Sequence, residues 1–186
     1  MPTRRKLHLG CGKRYLPGYV HIDCDTYDHI DYETTLDDLR VIEDDSVDLI
    51  YASHCLEYYD QIEVKTILKE WRRRLVVGGV LRLSVPDLDK LITVYGDTND
   101  VYKIIGPLFG RWTLKNGTNI YHKMVYDKKI MTEILQEAGF TEINEWDWRV
   151  ELPEDYDDYS KAYFPHMDFD NGICISLNIQ AKKTEI

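Results

Sequence analysis

The chain has 186 residues, 44% of them hydrophobic and 30% charged, which is the composition of one soluble globular domain with a core of its own. A formal net charge of −10 argues against a general grip on nucleic acid, which needs clustered Lys and Arg. No signal peptide opens the chain and no apolar run is long enough to cross a bilayer, so no membrane partner is expected and the expected compartment is cytoplasmic.

Lys6-Leu7-His8-Leu9 breaks abruptly into Gly10-Cys11-Gly12, which reads as a buried strand ending in a tight turn. Residues 13–18 leave room for a helical turn at most before a second apolar strand over 19–23 that ends in Asp23. Residues 30–35 read as a weak third strand. Asp44-Asp45-Ser46 is a turn feeding a strand over 47–52. Asp60-x-x-Glu63 then has the form of a capping box, followed by Val64, Ile67, Leu68, Trp71 and Leu75 at helical spacing. Gly78-Gly79 is expected to end that helix, with a strand over 80–85 behind it. Asp87 is the expected cap of a further helix whose inner face is Leu88, Leu91, Ile92 and Tyr95.

Residues 97–126 show no sustained period. Asp127 can cap a last helix with Ile130, Met131, Ile134, Leu135 and Ala138 inside, stopped by Gly139. Strands are expected over 142–149 and 173–181. The acidic, Tyr-rich stretch 151–171 between them reads as a long loop or lid. Two basic runs, Arg4-Arg5-Lys6 and Arg72-Arg73-Arg74, read as solvated faces, the second favoured by the end of a helix dipole. Cys11, Cys24, Cys55 and Cys174 form no C-x-x-C pair, so free thiols are expected and no metal site. This alternation predicts an open α/β sheet whose ligands lie at the strand carboxyl ends.

A glycine turn after the first strand and an acid at the tip of the second form the kit for holding a nucleoside. The glycines let a ligand close on bare backbone, and the acid accepts hydrogen bonds from ribose hydroxyls.

Leu7-His8-Leu9-Gly10-Cys11-Gly12, Ile22-Asp23 and the run from Asp45 to His54 resemble successive motifs of class I S-adenosylmethionine-dependent methyltransferases. Glu70 to Leu81 is similar to the helix-turn-strand unit that follows in that family, and His122 to Asp127 leading into Ala138-Gly139-Phe140 to its late helix and turn. The small predicted methyltransferase sub-family, linked with cell-surface carbohydrate pathways, is the nearest match in pattern. The resemblance implies a Rossmann-like, seven-stranded, mostly parallel sheet with an antiparallel last strand and helices on both faces. It implies S-adenosylmethionine as cofactor and methyl donor. Gly10, Cys11 and Gly12 would lie under the donor's methionine part, and Asp23 would take the ribose. Leu36, Asp37, Asp38 and Leu39 would flank the adenine, and Ser53 and His54 would close the pocket. His8 stands where the family commonly carries an acid facing the methionine ammonium. A third glycine is missing, with Lys13-Arg14 in its place.

His122 and His54 are the candidate catalytic residues, because an imidazole can take the proton of a hydroxyl acceptor near neutral pH. The methyl is expected to point into a cleft walled by His54, Asp87 and the segment around His122, although helix capping explains Asp87 with fewer assumptions. No asparagine-proline-proline-tyrosine motif follows the fourth strand, which counts against an amino-methylase of nucleic acid. The expected acceptor is a small molecule, in the manner of a sugar or sugar-linked metabolite. A homodimer, with a second copy over the open substrate side, is the one assembly left open. The competing reading is a non-catalytic nucleoside-binding or interaction module. A dehydrogenase is weaker, since nicotinamide cofactors want the third glycine and a full crossover helix.

Overall fold

A computed structural model describes residues 5–185, so Arg4 of the first basic run lies outside the described residues. The strands of the main sheet are β1 (Lys6–Leu9), β2 (Val20–Asp23), β3 (Tyr32–Glu33), β4 (Val47–Ser53), β5 (Leu75–Pro86), β8 (Phe140–Glu145) and β11 (Ser176–Lys183). Their order is β3-β2-β1-β4-β5-β11-β8, and only β11 runs antiparallel to its neighbours. The smaller strands pair in two hairpins, β6 (Arg111–Thr113) with β7 (Asn119–Tyr121), and β9 (Tyr163–Phe164) with β10 (Ile173–Cys174). Helices are α1 (Glu63–Arg74), α2 (Leu88–Thr98), α3 (Ile105–Phe109), α4 (Lys128–Glu137) and α5 (Trp148–Glu151).

Alternation along β1 divides the two faces. Leu7 and Leu9 join the large core with Ile50, Trp71, Leu135 and Phe140, under α1 and α4. His8 points to the opposite face, where Leu16, Tyr51, Trp146, Leu152 and Tyr156 pack. Leu152 follows α5 directly, and Tyr156 belongs to the acidic stretch, so part of that stretch is a wall of the core. Asp158, 5% exposed, accepts a hydrogen bond from the Tyr51 hydroxyl across the sheet.

The capping box forms as expected. Asp60 Oδ1 accepts from the Glu63 amide at 2.9 Å, and Glu63 Oε2 accepts from the Asp60 amide at 2.8 Å. Asp87 and Asp127 cap α2 and α4 through the amides of Asp89 and Ile130. The end of α1 differs from expectation. The helix stops at Arg74, whose buried guanidinium reaches Ile42 O and the carboxylates of Asp44 and Glu70. Gly78 and Gly79 therefore fall inside β5, where the pairing register with β4 shifts.

The phase of α2 also differs. Leu91 and Val94 are buried, whereas Ile92 is 59% and Tyr95 43% exposed. Ile130 of α4 lies at the surface as well. In the stretch without a period, two three-residue strands form a hairpin closed at Gly117 (φ +85°), too short to leave an alternation signal.

Candidate active site

The carboxyl ends of β1, β2 and β4 converge on a cavity of about 130 Å³. Gly10 and Gly12 both have positive φ (+61° and +54°), which opens the β1 turn toward β2. Asp23 is 7% exposed and spends one lone pair of each oxygen on the backbone. Its Oδ2 accepts from the Gly12 amide and its Oδ1 from the Asp25 amide, both at 2.8 Å. A carboxylate has roughly four acceptor sites, so two remain for a ligand's hydroxyls. Leu36 walls the opposite side, and Ser53 and His54 close the β4 end. The roof comes from the β6–β7 hairpin through Trp112, Leu114 and Ile120. It is fastened by the Lys115 amide donating to Asp25 Oδ1 at 3.0 Å, and by the Lys115 ammonium donating to Thr26 O.

Of the residues expected to hold the donor, Gly10, Cys11, Gly12, Asp23, Leu36, Ser53 and His54 line this cavity. Four do not. His8 is turned to the other face by strand alternation, and burial first, then His21, lowers its pKa to about 3, so the ring is neutral. Leu39 is fully buried in the core, Asp38 pairs with Arg40 at 2.6 Å, and Asp37 is solvent-exposed. Burial, helped by Asp23, pushes the Cys11 thiol up to about 12, so Cys11 is an uncharged wall of the pocket.

Beyond His54 opens a larger cavity of about 450 Å³. The two share Arg14, His54, Tyr58, Trp112 and Tyr159 and form one trench along the sheet edge. His122 lies in the larger part, and Asp87 lies outside it with its carboxylate occupied by the cap of α2. The ring of His122 lies against Gly110, where an alanine Cβ would stand 2.1 Å from Nε2. Its Nδ1 is 2.8 Å from the Pro107 carbonyl, which can only accept, so the neutral ring carries its proton on Nδ1 and leaves Nε2 bare.

The motif reading passed over Glu57. It is fully buried, lines the larger cavity, and neither carboxylate oxygen has a hydrogen-bond partner among the described residues. Its Oε1 lies 3.3 Å from His54 Nδ1 and 3.8 Å from His122 Nε2. Its carbonyl accepts from the amides of Lys123 and Met124, which ties the His122 segment to the end of β4. The signal was present as His54-x-x-Glu57, where the left-handed backbone at His54 and the 3-10 turn Leu56–Tyr58 behind it bring the two side chains together. His54 itself has φ +51°, a conformation that costs a non-glycine residue about 1–2 kcal/mol and is kept chiefly where a site requires it. Among the described residues no three His, Cys, Asp or Glu are arranged to hold a metal ion.

Sheet order and the glycine turn are those of the fold of class I S-adenosylmethionine-dependent methyltransferases. Residues 25–83 match the family model described as a methyltransferase domain. Solved structures repeat the architecture over nearly the whole chain. A S-adenosylmethionine-dependent methyltransferase from Archaeoglobus fulgidus is 15% identical with a TM-score of 0.57, covering 97% of this chain and 86% of its own. Another from Mesorhizobium loti is 16% identical with a TM-score of 0.54, covering 98% and 93%. The Burkholderia thailandensis 1,6-didemethyltoxoflavin-N1-methyltransferase, solved with that compound and S-adenosylhomocysteine, is 13% identical with a TM-score of 0.57, covering 98% and 72%. No curated protein matches the chain.

Asp23→Ala is expected to weaken binding of S-adenosylhomocysteine by about 1.5–3 kcal/mol, roughly tenfold to a hundredfold, as hydrogen bonds to a charged group are lost. Because Asp23 is buried and holds two amides, the melting temperature should fall as well, by several degrees. Calorimetry and thermal unfolding of the one variant read both effects, and unchanged affinity in a folded protein would remove Asp23 from the ribose site.

Proposed function

We propose that this chain is a methyltransferase moving the methyl of S-adenosylmethionine to a hydroxyl of a small molecule, a sugar or sugar-linked metabolite. The observation that carries the reading is the continuous trench. A glycine-and-carboxylate cradle opens at His54 into a larger cleft holding His122. The residues present suit the donor. The open backbone at Gly10–Gly12 accepts its methionine part, Asp23 keeps two acceptor sites for ribose, and Leu36 offers an apolar wall to the base. About 130 Å³ is below the usual size of a ligand pocket, so the hairpin roof has to lift for entry.

Bound S-adenosylmethionine would supply an already activated methyl, leaving the protein to align the acceptor and take its proton. Nε2 of His122 receives the hydroxyl proton. Tyr58, Tyr159 and Tyr163 line the acceptor side and offer faces and hydroxyls suited to a sugar ring. The 151–171 stretch forms the outer wall of that cleft. No helix among the described residues is long and apolar enough to cross a membrane, and four free cysteines suit a reducing compartment, so we place the protein in the cytoplasm.

Titration calorimetry with S-adenosylmethionine, S-adenosylhomocysteine and NAD decides the donor. Binding of the two sulfur ligands and not of NAD is expected, and the reverse result overturns the assignment. Transfer of labelled methyl to sugars and sugar phosphates then separates an enzyme from a nucleoside-binding module.

A further inference from the structure

The hydrogen bonds behind His54 run in one direction. Asn178 Nδ2 donates to Ser160 O at 2.9 Å, which leaves its Oδ1 as the acceptor for the Ser176 hydroxyl at 3.0 Å. With its own proton given to Asn178, Ser176 Oγ can only accept from His54 Nε2, also at 3.0 Å. His54 therefore carries a proton on Nε2. Its other nitrogen, Nδ1, faces Glu57 Oε1 at 3.3 Å, and two bare lone pairs there would repel. A proton on Nδ1 removes that repulsion and makes His54 and Glu57 an ion pair at 3.3 Å. Glu57 is fully buried and receives no backbone amide on either oxygen, so an uncompensated charge at this place would be strongly unfavourable. On the far side of the same oxygen stands His122 Nε2 at 3.8 Å, left bare because Nδ1 of that ring serves Pro107.

We propose that Glu57 is a positioning residue that keeps His54 doubly protonated, so that of the two rings beside its carboxylate it is His122, through Nε2, that is free to accept a proton from the acceptor. The inference rests on the methyltransferase reading for its use in catalysis, but its geometry stands apart from it. Glu57 with His54 forms a neutral ion pair, and once His122 has taken the acceptor's proton the same carboxylate faces the new cation. The polarity of the Asn178–Ser176–His54 series makes His54 the proton holder and His122 the proton acceptor.

The test is nitrogen magnetic resonance of histidine-labelled full chain at neutral pH, with His54 and His122 signals identified by single replacement of each. In the wild type, His54 should show both ring nitrogens protonated and His122 only Nδ1. In Glu57→Gln, His54 should lose the Nδ1 proton while His122 keeps its pattern, and Glu57→Asp should restore the doubly protonated His54. A neutral His54 in the wild type overturns the proposal, and so does a His54 that stays doubly protonated in Glu57→Gln. Should Glu57→Gln fail to fold, the wild-type and Glu57→Asp spectra still decide. Calorimetry with S-adenosylhomocysteine on the same wild-type sample separates the two readings. Absence of binding there removes the methyltransferase assignment, while the proton positions are read regardless.

Discussion

Gly10→Ala is expected to abolish measurable binding of S-adenosylhomocysteine and to lower the melting temperature by roughly 10 °C. At φ +61° an alanine carries about 1–2 kcal/mol of backbone strain. Its Cβ would also stand 2.6 Å from Cys55 Cβ and 3.0 Å from Cys55 Sγ, a clash with a side chain too short to swing aside. Overpacking of that kind costs about 1–3 kcal/mol and is relieved only by moving the β1 turn, which is the pocket floor. Gly18→Ala provides the control. Its φ of +82° brings the same kind of strain, but no atom lies within 4 Å of the added carbon, so that variant should melt slightly lower and bind normally. Equal loss of binding in both variants would mean that backbone strain, and not the floor of this cavity, governs the ligand.

The second large effect is expected in turnover. His122→Ala should lower the rate of methyl transfer to an accepted sugar hydroxyl by about a hundredfold or more, the usual worth of a placed general base. Affinity for S-adenosylhomocysteine should hardly change, since His122 lines only the larger cavity. His54→Ala should cost less in rate, because both His54 nitrogens already face protein groups. It should weaken the donor more, because His54 lines both cavities. Full activity in both variants would leave alignment alone as the source of rate.

The readable parts of this sequence are those where a local rule acts without competition. The glycine turn, the capping box at Asp60 and the caps at Asp87 and Asp127 depend on side chains a few residues from the backbone they serve, and they form as expected. The Leu7 and Leu9 alternation placed the core face of β1, and by the same geometry it removes His8 from the small cavity. Motif position suggested the opposite, since a family pattern carries no information about which way an exchanged residue will pack. Leu39 failed for a related reason. The acid pair before it marked the loop, but three-dimensional closure of the core took the leucine inward.

The hairpin and Glu57 were hidden for different causes. Two strands of three residues are too short for a period to emerge from composition. A lone glutamate looks like surface until the chain at 122–124 folds across it and removes its water. Partners 65 residues apart leave no local trace.

Floor and roof of the small cavity are joined by two side chains. Gly12 and Asp25 hang their amides on Asp23, and Asp25 in turn holds the amide of Lys115 at the hairpin tip. Every donor in that relay is main chain and every acceptor a side-chain carboxylate, so the two Asp rotamers set the spacing between floor and roof. Lifting the hairpin pulls on the turn that presents the Asp23 carboxylate, and rearranging that carboxylate slackens the hairpin. The turn that carries Asp23 and the hairpin over the cavity are then one mechanical unit, with Asp25 as the linkage.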